Sequence, residues 1–383
     1  MMLKKNKLLI SKARMMSISV IGILYAFYYS YSYGVSYNLF MLFTLGITLY
    51  MYLILLFNFK RVNITYFFPI IFVVFISIIN GIFRGNTIDP IIISHSLILP
   101  FVLSSIEYEG IDNYKMYIPC CLITIGIVII QLYFSVYDNF NSNTLGFILY
   151  MGGSFSFLWF KSSRNKVWPM LYLVVFLILM FKTDCRNAMV VTIATLLLLV
   201  LSDKVFYKIN NFRIIYISAL IFTIITPILI SFIFNNPILS KFINEFIGYF
   251  SNKSYGMDLR IGYYSMILTK LESFNILEKM FGMGINTGSG HNLWFQGLFV
   301  YGYIGTIIIY IYYIKIFETA SRLYIKTKDP IVLGCFIALV GNILLQCVDE
   351  YLICNPTCVV IPFLMMGMIN SKAQIYKKNL KGE

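Results

Sequence analysis

The sequence predicts an all-α integral membrane protein of about twelve transmembrane helices, on three observations. Apolar residues run in unbroken stretches, and about 18 or more in a row are long enough to span a bilayer. Of the 383 residues, 59% are hydrophobic and only 12% charged, with a mean hydropathy of +0.80. A soluble domain sits nearer half apolar and about a quarter charged. Lysine and arginine, finally, are distributed asymmetrically between alternate connections. Together these features exclude a soluble enzyme, a secreted disulfide scaffold and a disordered chain.

In chain order the expected spans are 15–33, 37–57, 66–83, 88–106, 115–137, 143–160, 166–182, 186–202, 212–234, 293–314, 330–348 and 355–370. The first follows the basic stretch Lys4, Lys5, Lys7, Lys12 and Arg14, as in a signal peptide. Its apolar run continues through Ala26–Tyr29 without a small-residue cleavage site, so it reads as an uncleaved span. With the N-terminus in the cytoplasm, 22 of the 30 basic residues fall on the inner side. That is the positive-inside bias, and it fits an even number of spans with both ends inside. The net charge of +14 is thus topology, with attraction to anionic lipid, and not a nucleic-acid footprint. The seven cysteines are scattered, mostly in or beside spans, where a thiol packs as a small apolar group.

The chain divides into helices 1–9 over residues 1–234, one long outer loop over 235–292, and helices 10–12 with an inner tail over 293–383. A loop of that length in a tight bundle is functional or disordered, and its patterning argues for order. Leu239, Phe242, Ile243, Phe246, Ile247 and Phe250 form an apolar stripe at helical spacing. A second helix, about 258–281, carries Tyr264, Ile267, Leu268 and Leu271 on one side. The loop ends in a glycine-rich turn from Gly282 to Gly290, just before His291. Lys315–Asp329 reads as an inner hairpin.

Ionisable groups at the edge of an apolar slab are costly and mark function. The candidates are Arg84, Asp89, His95, Asp184, Arg186, Arg260, His291, Asp349 and Glu350, most of them towards the outer end. Arg186 stands where the positive-inside bias disfavours a cation, which points to an anionic partner; a salt bridge to Asp184 is the alternative. Arg260 opens the second loop helix. The planar guanidinium fork grips phosphate oxygens in pairs, so two outer arginines suit a diphosphate. His291 is one of only two histidines, and a histidine suits proton transfer near neutral pH. His95 reads as a packing residue. Arg84 and the Asp349-Glu350 pair are secondary candidates, for which a solvated helix end is the plainer reading. The glycine cluster lacks the strand, the spacing and the Gly-Lys-Ser/Thr of nucleotide-binding turns, and reads as a turn allowing close backbone approach. No HExxH motif or carboxylate cluster of metal-ligand spacing occurs, so neither metal nor cofactor is expected.

Gly282-x-Gly284, then His291-Asn292, then Gly302-Tyr-Ile-Gly305, with Thr183-x-x-Arg186 and Arg260, resemble the ordered motifs of the bacterial O-antigen polymerase and O-antigen ligase superfamily. The sharp match covers about a quarter of the chain, and Cys185 stands where a serine is common in that family. The resemblance implies a metal-independent glycosyltransferase with a GT-C-like fold, in the bacterial inner membrane. Its donor and acceptor would be oligosaccharides on undecaprenyl diphosphate, met at the periplasmic face. Arg186 and Arg260 would hold the diphosphate and His291 would act as base, with Asn292 a secondary site candidate. A chain-length regulator and a flippase are implied partners. The polymerase is favoured over the ligase. A lipid-linked oligosaccharide flippase is disfavoured because ionisable residues gather at one face and no internal repeat occurs. Replacing His291 by alanine should abolish glycan product, in an assay on membranes, while the protein stays folded and inserted; full activity in that variant overturns the assignment.

Overall fold

The computed structural model describes residues 114–134, 142–239, 256–283, 292–347 and 360–380, with position 241 and isolated helical positions at 53 and between 72 and 83. Among the described residues every regular element is helical. A 3-10 turn (Tyr114–Met116) leads into α1 (Tyr117–Phe134), followed by α2 (Ser142–Gly153), α3 (Phe155–Ser162), α4 (Val167–Lys182), α5 (Arg186–Val205) and α6 (Ile209–Asn235). Then come α7 (Gly256–Ser273), α8 (Ile276–Phe281), α9 (Leu293–Thr327), α10 (Pro330–Leu345) and α11 (Val360–Leu380). Three are long and apolar enough to cross a membrane: α5, α6 up to Ile230, and α9. Large apolar side chains stand exposed along the outside, among them Trp168, Ile178, Val200, Phe222 and Phe232. Water would not tolerate a surface of that kind and lipid does, so the chain is a helical membrane protein.

The centre of the bundle is α10. It begins with Pro330 at the first helical position, where a missing N–H costs nothing, and Asp329 caps it by accepting from the Ile331 N–H at 2.9 Å. From Ile331 to Ile343 it is buried on all sides, as an all-round apolar helix must be. It packs against α3, α5, α6, α9 and α11. Helices in lipid gain little from hydrophobicity against one another and associate through close packing at small residues. Accordingly Gly146, Gly152 and Gly153 of α2 lie against Cys185, Thr124 and Phe176, one neighbouring helix junction each. The expected single span 143–160 is interrupted at Ser154, where the Ser154 and Ser156 hydroxyls donate to the carbonyls of Met151 and Gly153. Serine back-bonding of this kind bends helices.

The largest departure from expectation is α9. The expected span 293–314 is a hairpin. Gly302 has φ 65° and ψ −172°, outside the helical region. Trp294 and Tyr310 have ring centroids 5.3 Å apart, although a straight helix would separate them by about 24 Å. Gly297 likewise lies against Thr306. A short leg, Leu293–Tyr301, therefore runs to Gly302 and the chain doubles back into a long leg ending at Thr327. That long leg also replaces the expected inner hairpin at Lys315–Asp329 with continuous helix.

The loop helices dock on this hairpin. The expected helix 258–281 is two, because Asn275 starts α8 with a capping box: its side chain accepts from the Glu278 N–H while Glu278 accepts from the Asn275 N–H. Tyr264 and Ile267 of α7 pack with Phe295 and Leu298 of the short leg, but Leu268, expected on the same side, is exposed. After α8, Gly282 has φ 75° and meets the backbone of Val300 and Gly302, while Gly302 meets the backbone of Met280 and Phe281. The Met283 N–H donates to the Phe299 carbonyl at 2.9 Å, and the Asn80 amide donates to the Gly282 carbonyl at 2.9 Å. The two glycines thus form a backbone-to-backbone clasp that tolerates no Cβ on either side. Alanine at Gly282 or Gly302 should lower stability by about 1–3 kcal/mol from backbone strain alone. Alanine at Gly126, which lies mid-helix with open space around it, should instead keep or raise stability, by up to about 1 kcal/mol. Thermal unfolding of the detergent-purified variants checks both outcomes.

Candidate functional site

Helices end with carbonyls that have no partner within the helix. At the end of α10 three consecutive carbonyls face the interior of the bundle, and each is taken by a donor from elsewhere in the chain. Asn187 Nδ2, on α5, donates to the Leu345 carbonyl at 2.9 Å. The Leu293 N–H, at the start of α9, donates to Gln346 at 2.9 Å. Asn292 Nδ2 donates to Cys347 at 2.8 Å. The first turn of α5, which begins with Arg186, and the first turn of α9 therefore meet at one place. Both are helix N-termini, whose dipoles favour a negative charge, although the first N–H groups of α9 are already taken by Gln346 and Asn292.

Asn292 is fully buried and its amide is saturated. Its second N–H donates to the Thr223 carbonyl of α6 at 2.8 Å. Its Oδ1 accepts from the Trp294 N–H at 2.9 Å and the Phe295 N–H at 3.1 Å, capping α9. Two donors and one carbonyl oxygen, with two lone pairs, complete the capacity of the side chain. Asn292 thus joins α6, α9 and α10, and the hydrogen-bonding capacity of its side chain is spent within the fold. Beside it the hydroxyls of Thr223 and Tyr310 share a hydrogen bond.

Arg186 is the first residue of α5 and is half-buried. The turn before it is tight. Asp184 takes the left-handed conformation, φ 54°, which aspartate tolerates better than most residues. The Cys185 N–H is held by the Thr183 hydroxyl at 3.4 Å. Cys185 itself is buried against Gly146 and Ala188, so a thiol serves as a compact apolar contact at this position. Arg260 is a residue of α7, four positions before Tyr264, whose ring meets Phe295 of the short leg edge-on at 5.7 Å. Lys270, further along α7, lies over the ring of Phe299 at 5.5 Å. His291, Arg84, Asp89, His95, Asp349 and Glu350 lie outside the described residues, as do Cys354, Cys358 and most of the stripe 239–250.

Sequence reasoning did not single out Asn187, Thr223 or Gln346. A signal was present for Asn187, since an amide directly after Arg186 at the head of an apolar helix needs a partner as much as a charge does. No protein-family model matches the chain, and no characterised protein matches it.

The opposite end of the bundle carries ion pairs among the described residues. Glu318 of α9 accepts from Arg213 Nε at 2.6 Å, Tyr216 Oη at 2.8 Å and Arg322 Nε at 3.2 Å. Lys372 pairs with Asp329 at 2.8 Å and Lys161 with Asp203 at 3.1 Å. These contacts close the helix ends far from the α10 terminus.

Replacing Asn292 by aspartate keeps the cap acceptor but removes both donors and sets a carboxylate against two carbonyls. The expected loss is about 2–4 kcal/mol, from two broken buried bonds. It is read as a lower melting temperature of purified protein; an unchanged melting temperature would contradict a purely structural role.

Proposed function

We propose that the chain is a metal-independent membrane glycosyltransferase of the O-antigen polymerase type, acting on oligosaccharides carried by undecaprenyl diphosphate. The observation that carries this reading is the meeting of the Arg186 end of α5 with the Asn292 end of α9 on the last turn of α10. An arginine and the dipoles of two helix starts at one place favour an anionic group that is itself hard to bring into lipid. A diphosphate on a polyprenyl chain has that character.

In the proposed step an acceptor hydroxyl oxygen attacks the anomeric carbon of the donor glycan. A carbon–oxygen bond forms, the bond from that carbon to the phosphate oxygen breaks, and undecaprenyl diphosphate leaves with the bonding pair. Arg186 and Arg260 neutralise the charge that grows on the departing diphosphate. His291, which immediately precedes the saturated Asn292 in the chain, accepts the hydroxyl proton. The α7–α8 segment covers the short leg of α9, and the apolar stripe at 239–250 would guide the lipid tail.

The accompanying topology has about twelve spans, a GT-C-like arrangement in the inner membrane and both ends in the cytoplasm. The Glu318, Asp329 and Asp203 ion pairs then lie inward and the α10 terminus lies toward the periplasm. From Asp329 to its end α10 is about 24 Å long against a hydrocarbon core of about 30 Å. The site would thus be sunk below the outer membrane surface, where the water-poor setting strengthens each charge contact.

The test is the electrophoretic profile of envelope lipopolysaccharide from a deletion strain carrying wild type or His291→Ala. Core with one repeat unit, returned to a ladder by wild type alone, is the expected result. Bare core with long chains left on the carrier lipid would make the protein a ligase, and bare core with single repeats trapped inside a flippase. An unchanged ladder would overturn the reading.

A further inference from the structure

We propose that Asn187 is a positioning residue that sets the location of Arg186 for an anionic ligand. The proposal rests on the glycosyltransferase reading above, and it concerns a side chain with no place in that chemistry. Two candidate functional residues, Arg186 and His291, are each followed directly by an asparagine. Those two asparagines dock on carbonyls two residues apart, Asn187 on Leu345 and Asn292 on Cys347. Between them the Leu293 N–H takes Gln346. The device is the same on both sides. A short amide, rigid over two torsions, spans the gap between a helix start and the end of α10.

The consequence differs between the two. Asn292 is fully buried and holds three helices, so its loss is felt by the fold. Asn187 is half-buried and makes one long-range bond, while Cys185 and Ala188 already pack the start of α5 against Gly146. Without Asn187 the helix stays in the bundle, but its first turn loses the contact that fixes it against the end of α10. A long arginine side chain magnifies small displacements of the backbone that carries it, and an ion grip of fixed geometry is sensitive to them.

The experiment measures binding of undecaprenyl diphosphate to the purified full chain in lipid nanodiscs, with the melting temperature of the ligand-free protein recorded alongside. Wild type, Asn187→Ala, Arg186→Ala and the double variant are compared. Asn187→Ala is expected to weaken binding about tenfold, while the melting temperature falls only by the few degrees, roughly, that one unpaired Leu345 carbonyl costs. In the Arg186→Ala background the same change is expected to have no further effect, which a general loosening of the fold would not produce. Wild-type affinity in Asn187→Ala, or an equal loss in both backgrounds, would overturn the proposal while leaving the glycosyltransferase reading intact. Wild-type affinity in Arg186→Ala would overturn both. Should Asn187→Ala fail to fold, Asn187→Ser, which keeps a donor on a short side chain, is measured in its place. Failure of both to fold would show a structural role and overturn the proposal.

Discussion

A helix end buried among other helices must find partners for its last carbonyls, because neither water nor lipid supplies them there. In this protein that requirement falls on α10, which is sheathed by five other helices and stops inside the bundle. The donors that meet it come from α5 and α9, so satisfying one helix end also fixes the starts of two others. Asn292 extends the junction to α6 through the Thr223 carbonyl. The placement of this whole end of the bundle rests on the exchange of hydrogen bonds, in a setting where each unpaired group costs more than it would in water.

The two ends of the bundle are held by different physics. Near Glu318, Asp329 and Asp203 the contacts are ion pairs in partly exposed positions, and pairs of that kind contribute little individually. Their neighbours are rings: Phe336 of α10 meets Phe206, Phe212 and Phe317 at centroid distances of 5.4, 4.8 and 5.4 Å. Near the end of α10 the contacts are amide-to-carbonyl bonds and backbone packed on backbone at Gly282 and Gly302. Amide bonds are neutral and directional. They fix a helix start without themselves adding a charge to the site.

Several elements were legible from the chain because each is one uninterrupted apolar run with recognisable ends. The expected span 166–182 is α4, Val167–Lys182, and the span 186–202 is α5, extended to Val205. The Asp329-Pro330 pair marks the start of α10 to the residue, since a capping carboxylate followed by proline is a helix start on local chemistry alone. The reading failed where direction changed within a run. Hydropathy sums composition along the chain and cannot register that Leu293–Tyr301 and the following leg lie side by side. It failed again at Asn275, where a capping box splits an otherwise continuous helical pattern. At the candidate site the charged residues stood out because charge is costly in lipid. The amides that position them did not, since Asn187 and Asn292 gain their meaning from carbonyls 158 and 55 residues away.

What the sequence by itself determined is the helical, lipid-facing character of the chain, the boundaries of α4 and the starts of α5 and α10 among the described residues, and the few polar residues worth explaining. These follow from burial free energy and local capping, which act over one or two turns. Only the tertiary structure decided that Gly302 reverses the chain and that Gly282 meets it backbone to backbone. It alone showed that Asn292 is spent on the fold, and that the Arg186 end of α5 shares its anchor with the start of α9. Those features depend on which orphaned backbone group meets which donor once the helices have assembled. Residues far apart in the chain make that choice together, so no local pattern records it.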